Sequence, residues 1–210
     1  MDVFIGHHTP CWEPGHTVLH FYAIPELDQE PGLADLVTRG RQVLTSLDGL
    51  VAPVADQWLH ATVQMVAGRS TASVTETELA SLIARARTEF SHVPVFTTTV
   101  GSHLASRAGT LLDLGPDEPW QQAQHAAERA IASVFGPNAL AYQPPPPHIT
   151  TGYATRTADS GPVTSALRRT RPTHATWRVR HIHLVDVTQD ANTHTYRWRQ
   201  VAAFALSEKL

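Results

Sequence analysis

Trp58-Leu59-His60-Ala61-Thr62-Val63 and Pro147-His148-Ile149-Thr150-Thr151-Gly152 read alike. Each sets a histidine and a threonine two residues apart inside a segment of strand character. Strand side chains alternate between faces, so His60 and Thr62 share one face, as do His148 and Thr150. One such pair carries little information. Two of them, one in each half of a 210-residue chain, predict a site built from twin halves. An imidazole moves a proton near neutral pH, and a hydroxyl beside it can hold an anionic oxygen. Doubled, this is the equipment for cleaving a phosphodiester without a metal.

With 13 histidines in the chain, chance alone yields about one or two His-x-Thr triplets. There are four, at His7, His60, His148 and His174. His7 runs into Pro10 within a loop-like opening, which denies it a strand. His174 precedes the extended-looking Trp177-Arg178-Val179-Arg180, but only one further strand and no helix follow it. His60 and His148 each have a strand–helix run before them and a helix after them, and this selects them as the pair.

The rest of the sequence fills in around these two segments. Val18 to Ile24 reads as a strand stopped by Pro25, followed by a helix from Pro31 to Leu47 with Leu33, Leu36, Val37, Val43 and Leu44 on one stripe. Leu50 to Val54 is a short strand, and Gln57 to Val66 carries the first motif. Thr75 to Phe90 is a helix whose Thr75 and Glu78 have capping-box spacing. Val93 to Val100 and Thr110 to Leu114 read as an antiparallel pair. A helix from Glu118 to Phe135 and the proline run Pro144 to Pro147 lead into the second motif strand, His148 to Ala154. A helix from Ser160 to Arg168 and two closing strands, Trp177 to Val187 and Thr195 to Leu206, finish the chain. Strands joined by helices and hairpins predict an α+β fold. Residues 1–16 are expected to be an N-terminal extension or loop, and residues 17–210 one bilobal domain.

Composition narrows the function classes. Hydrophobic content of 42% and charged content of 17% are ordinary globular values. The lone Cys11 excludes an internal disulfide and a multi-cysteine metal cage and suits a reducing cytosol. The N-terminus has neither the basic stretch nor the apolar core of a signal peptide, and no apolar run is long enough to span a bilayer. A cytoplasmic protein with no membrane partner is the expectation. The net charge is −3, so the chain as a whole does not announce a nucleic-acid binder. Residues 161–210 are nevertheless rich in arginine (168, 169, 171, 178, 180, 197 and 199), and such asymmetry marks either an anion-binding surface or a solvated edge.

The two motifs, His60-Ala61-Thr62-Val63 and His148-Ile149-Thr150-Thr151, resemble those of the two-histidine phosphoesterase superfamily. That superfamily includes bacterial RNA 2′,3′-cyclic phosphodiesterases, also called 2′-5′ RNA ligases. Phe21-Tyr22-Ala23-Ile24-Pro25 is similar to the family's first strand, and His183-Leu184-Val185 through Tyr196 to Phe204-Ala205-Leu206 to its last two. The resemblance spans residues 17–206. It implies a bilobal, pseudo-symmetric fold with two mainly antiparallel sheets around a central cleft and helices outside. The chain departs from the family in two places. Thr151-Gly152 stands where a large aliphatic residue usually follows the second threonine, and Tyr153 stands near where some RNA-acting members carry an arginine.

The chemistry expected of such a site is acid–base cleavage of a 2′,3′-cyclic phosphate or a 2′-5′ linkage at an RNA or nucleotide end. One of His60 and His148 removes a proton from the nucleophile and the other supplies one to the leaving oxygen. Thr62 and Thr150 donate to the non-bridging oxygens. Tyr22 and Tyr153 are candidate substrate-binding residues that stack on a base. No cofactor and no metal are expected, and the chain is expected to act as a monomer. Two alternatives stand beside this reading. One is a non-catalytic RNA- or nucleotide-binding module with the same fold. The other is a metallohydrolase using His181-x-His183, although no carboxylate or cysteine of suitable spacing accompanies that pair.

Overall fold

The structure is a computed structural model that describes residues 1–4, 15–190 and 195–208. His7, His8 and Cys11 lie outside the described residues. The first motif begins a strand, β3 (Ala61–Met65), and the second opens another, β6 (His148–Ala154). Around them run β1 (Thr17–Ala23), β2 (Val51–Pro53), β4 (Phe96–Ala105), β5 (Gly109–Gly115), β7 (Ala175–Val179), β8 (His181–Asp190) and β9 (Thr195–Ala205). Four helices connect them: α1 (Pro31–Thr45), α2 (Glu76–Phe90), α3 (Asp117–Phe135) and α4 (Gly161–Leu167).

The strands pair in the order β7-β4-β5-β6-β3-β1-β8-β9, with β2 on β6. Every pairing between these strands is antiparallel. The two expected sheets are therefore halves of one sheet, joined where β3 meets β6 through the pair Ala61–Ile149. The sheet is strongly curled. Four strand spacings of about 4.8 Å would separate β6 from β9 by about 19 Å if it were flat. Yet the rings of Tyr153 on β6 and Tyr196 on β9 are only 5.9 Å apart. The concave side holds the two motifs.

The helices cover the other side. α1 begins on Pro31, whose missing N–H costs nothing at a first turn, and buries Leu33, Leu36, Val37, Gly40 and Leu44. It packs with α4 on the half that contains β2, β6 and β7. There the His103 ring of β4 lies over Gly40 and bonds the Leu36 carbonyl at 3.1 Å. α2 carries the expected capping box, the Thr75 hydroxyl accepting from the Glu78 backbone and the Glu78 carboxylate accepting from the Thr75 N–H. α3 turns Ala123, Ala126, Ala127 and Ala130 inward, and this small-residue face lets it lie close against α2 and β3.

Three sequence expectations need correction. Trp177 to Val187 is two strands, because the buried alternation of Trp177 and Val179 changes phase before Ile182 and Leu184. At Arg180 the chain leaves one edge, where β7 pairs β4, and enters the other half, where β8 pairs β1 and β9. The first-motif segment expected over Gln57 to Val66 is strand only over Ala61–Met65, and its start at Gln57 and Trp58 belongs to a turn of 3₁₀ helix, Asp56–Trp58. The strand expected over Val93 to Val100 starts at Phe96, beyond Pro94, and continues to Ala105 through a register shift between Val100 and His103. Among the described residues no helix is long and apolar enough to cross a membrane. The C-terminal arginines form a solvated edge: Arg178, Arg180, Arg197 and Arg199 pair with Glu208, Glu30, Asp190 and Asp186.

Candidate active site

Ala61 and Ile149 are both fully buried and face the core, so their strand neighbours face the concave side. Counting outward from this antiparallel pair sets His60 opposite Thr150 and Thr62 opposite His148. Each motif's histidine thus lies across from the other motif's threonine, about a local two-fold axis through Ala61 and Ile149. All four side chains line one cavity of about 440 Å³.

Each imidazole is held in the same way. His60 Nδ1 lies 2.9 Å from the Trp58 carbonyl, and His148 Nδ1 lies 2.8 Å from the Pro146 carbonyl, two residues upstream in both cases. A carbonyl only accepts, so Nδ1 must carry the proton, and the proton-transfer atom left over is Nε2. The upstream residues explain why these carbonyls are free to accept. Trp58 ends the 3₁₀ turn, which Arg41 pins by pairing with Asp56 and by donating to the Val54 carbonyl at 3.1 Å. Pro146 sits in the proline run, whose members offer carbonyls without competing N–H groups.

A second symmetry supports the first. Across β1, the register passes from Phe21–Gln64 to Tyr22–Thr62, leaving Val63 as an extra residue. Across β5, it passes from Thr110–Gly152 to Leu111–Thr150, leaving Thr151 as an extra residue. Both motif strands therefore carry an irregularity of the β-bulge kind directly after the threonine. It shifts the alternation so that Met65 and Tyr153, each three residues past its threonine, also reach the cavity. The unusual Thr151 is accommodated by a partner, its buried hydroxyl lying 3.0 Å from that of Thr110. Gly152 is required by space. A Cβ there would come within 2.5 Å of Val51, and one at Gly109 within 2.1 Å of the Gly152 carbonyl.

The two histidines occupy different surroundings. His60 is enclosed: the Tyr22 ring stacks on it at 4.0 Å and 16°, and Trp198 meets it edge-on at 4.9 Å. Its remaining edge opens to the cavity. Burial, reinforced by the nearby His148, lowers its pKa to about 4 against the opposing pull of the Trp58 carbonyl. His60 is thus neutral at pH 7. The threonines also have matching neighbours, Thr62 lying by Tyr22 and Thr150 by Tyr153, where each works against the effect of burial on the phenol. Burial raises the pKa of both tyrosines, which remain neutral phenols.

Tyr22 and Tyr153 line the cavity but are 2% and 7% exposed. Their ring faces are engaged, that of Tyr22 by His60 and that of Tyr153 by Phe4 at 4.3 Å. The ring faces that meet His60 and Phe4 are therefore not open to a substrate base, although both side chains line the cavity. Sequence reasoning did not select Phe4, His20, Tyr142, Tyr196 or Trp198. His20 and Tyr22 share a strand face by simple alternation, as do Tyr196 and Trp198, and that signal was available. Phe4 gives no periodic signal at all.

The rival residues lie elsewhere. His174 is exposed, 2.9 Å from the Thr173 hydroxyl, and does not line the cavity. His181 and His183 have ring centres 6.2 Å apart, with His183 Nδ1 on the Gln200 side chain at 3.0 Å. Among the described residues no group of three or more His, Cys, Asp or Glu is placed to hold a metal ion.

Comparison with known proteins gives a consistent result. The family model described as the 2′-5′ RNA ligase superfamily matches residues 32–191. No curated protein matches the chain. Among solved structures, TT0787 of Thermus thermophilus is 15% identical with a TM-score of 0.67, covering 92% of this chain and 100% of that one. E. coli LigT complexed with 3′-AMP is 17% identical with a TM-score of 0.61, covering 91% and 99%. The phosphate complex of the same protein is 16% identical with a TM-score of 0.59, covering 91% and 98%. At these identities the likeness is one of fold.

Proposed function

The chain belongs to the 2′-5′ RNA ligase superfamily of two-histidine phosphoesterases, and from that premise we propose that it is a metal-independent cyclic phosphodiesterase. It opens a 2′,3′-cyclic phosphate or cuts a 2′-5′ linkage at a nucleotide or RNA end, acting as a monomer with His60, Thr62, His148 and Thr150 as its catalytic residues. The observation that carries this reading is the matched pair of imidazoles, each fixed through Nδ1 and each facing one cavity from strands in direct register. The phosphate and 3′-AMP complexes of LigT lend support to a small nucleotide as ligand.

In ring opening, neutral His60 takes a proton at Nε2 from the attacking water as the new P–O bond forms. Protonated His148 gives its Nε2 proton to the ribose oxygen as the old P–O bond breaks. Thr62 and Thr150 donate hydrogen bonds to the non-bridging oxygens, where negative charge grows. Resealing runs the same steps backward with the roles exchanged. A pure binding module has no use for two imidazoles with matched tautomers, which favours the enzyme over the non-catalytic reading.

The test is turnover of nucleoside 2′,3′-cyclic phosphates by the purified chain in excess chelator. Sustained hydrolysis is expected. Activity lost in chelator and restored by zinc or manganese would transfer the case to a metallohydrolase.

The lowered pKa of His60 gives a second expectation. The base must be neutral, so kcat/KM should rise with an apparent pKa of about 4, well below the ordinary imidazole value of about 6.5. It should fall again at higher pH as the acid loses its proton, giving a bell whose limbs belong to the coupled pair. A rising limb at about pH 6.5 in the pH–rate profile would contradict a buried neutral base.

A further inference from the structure

We propose that Arg41, on α1 and outside the cavity, is a positioning residue for His60, acting through the 3₁₀ turn whose last carbonyl holds that imidazole. The inference rests on the phosphodiesterase reading, in which His60 must offer a bare Nε2 to the attacking water.

A neutral imidazole carries one N–H, and its two nitrogens compete for it. His60 keeps the proton on Nδ1 because the Trp58 carbonyl, 2.9 Å away, accepts the bond there. Once that carbonyl moves off, the proton can pass to Nε2, and a neutral ring protonated at Nε2 has no lone pair there to act as base. Placement of the Trp58 carbonyl therefore sets the fraction of molecules ready to react.

The two motifs secure this carbonyl differently. Pro146, which serves His148, belongs to a run of four prolines whose fixed φ angles stiffen it. Trp58 instead follows Ala55, Asp56 and Gln57, all exposed. The bonds inside the turn are short-range, Trp58 N–H to Ala55 at 2.8 Å and Leu59 N–H to Asp56 at 3.2 Å. The Trp58 ring meets Trp198 edge-on at 4.9 Å, which anchors the side chain and leaves the backbone carbonyl to the turn. Two longer ties fix the turn to the body. Val54 N–H donates to the Thr151 carbonyl of β6 at 3.0 Å. Arg41 donates to the Val54 carbonyl at 3.1 Å and pairs with the Asp56 carboxylate, so one guanidinium holds both ends of residues 54–56.

α1 gives this arginine a fixed base. Gly40 precedes it, and a Cβ there would come within 2.1 Å of the His103 ring that lies on the bare helix backbone. His103 Nε2 also donates to the Leu36 carbonyl at 3.1 Å. The helix is thus locked against β4 one residue from Arg41. The pair with Asp56 is itself partly exposed, its side chains at 31% and 58%, and such pairs add little to stability. Replacing Arg41 therefore loosens the turn and leaves the fold intact.

The experiment compares the full chain with Arg41→Ala, Arg41→Lys, Asp56→Ala and the double variant Arg41→Ala/Asp56→Ala. On a nucleoside 2′,3′-cyclic phosphate, Arg41→Ala should lower kcat by about 10- to 100-fold with KM little changed, approaching the cost of a reacting group displaced by about 1 Å. Asp56→Ala should cost less, because Arg41 keeps its bond to Val54. The double variant should match Arg41→Ala, since both residues act through one turn. Arg41→Lys keeps the charge without the planar fork and should recover part of the rate. Nitrogen NMR at neutral pH is the second measurement. In Arg41→Ala the His60 Nδ1 signal should move from the position of a protonated nitrogen toward the average of the two tautomers. His148, held by Pro146, should be unchanged. An unchanged kcat or an unchanged His60 signal overturns the inference, as does an equal change at both histidines, which marks general loosening. The NMR comparison needs no turnover, so an inactive unaltered chain overturns the phosphodiesterase reading while the His60 signal still decides whether Arg41 positions the ring.

Discussion

Replacing His148 by alanine is expected to lower kcat/KM on a nucleoside 2′,3′-cyclic phosphate by about 10²–10⁴-fold, the usual worth of one positioned proton-transfer group. His60→Ala should fall in the same range. The double variant should be little worse than the poorer single one, because an acid and a base that act in one step lose their value together. His148→Ala is the cleaner experiment, since that residue is only half-buried. His60 is stacked on Tyr22 and met edge-on by Trp198, so its removal also leaves a gap in an aromatic cluster. Thermal unfolding of both variants separates that cost from lost chemistry. His174→Ala is the internal control and should be silent, its side chain being exposed and outside the cavity. An inactive His174→Ala beside an active His148→Ala would show that the second motif had been wrongly chosen.

Removing the hydroxyl of Thr62 or Thr150 should cost less, about 10- to 1000-fold, because each variant loses one hydrogen bond to the phosphate oxygens and keeps both imidazoles. Most of the loss should appear in kcat, with KM little changed, since the donated bond strengthens as charge develops in the transition state. The two-fold arrangement, with each threonine opposite the other motif's histidine, predicts comparable losses at the two positions. Thr62→Ser and Thr150→Ser keep the hydroxyl and should recover most of the rate. A loss confined to KM, or no rescue by serine, would assign the threonines to structure.

Much of this arrangement was legible in the chain. His148 to Ala154 is a strand with the bounds its pattern indicated, and Thr75 with Glu78 marks the start of α2 as capping chemistry requires. These features are local, written in residues that touch their own neighbours. What escaped the reading is non-local or breaks the period. The irregularities at Val63 and Thr151 interrupt alternation and conceal that Met65 and Tyr153 face the cavity. The change of phase between Val179 and Ile182 is small in sequence, yet it carries the chain from one edge of the sheet to the other half. The curl that brings Tyr196 to Tyr153, and the docking of Phe4 between them, depend on contacts across most of the chain's length.

The central claim is that the Nε2 atoms of His60 and His148 flank one phosphate while both Nδ1 atoms stay bonded to backbone carbonyls. Nitrogen NMR of histidine-labelled protein, titrated with a slowly hydrolysed cyclic phosphorothioate analogue, tests it most directly. The Nε2 signals of both rings should shift together with a common midpoint, while both Nδ1 signals keep the position of a protonated nitrogen. A response from only one of the two rings, or different midpoints for the two, would contradict it.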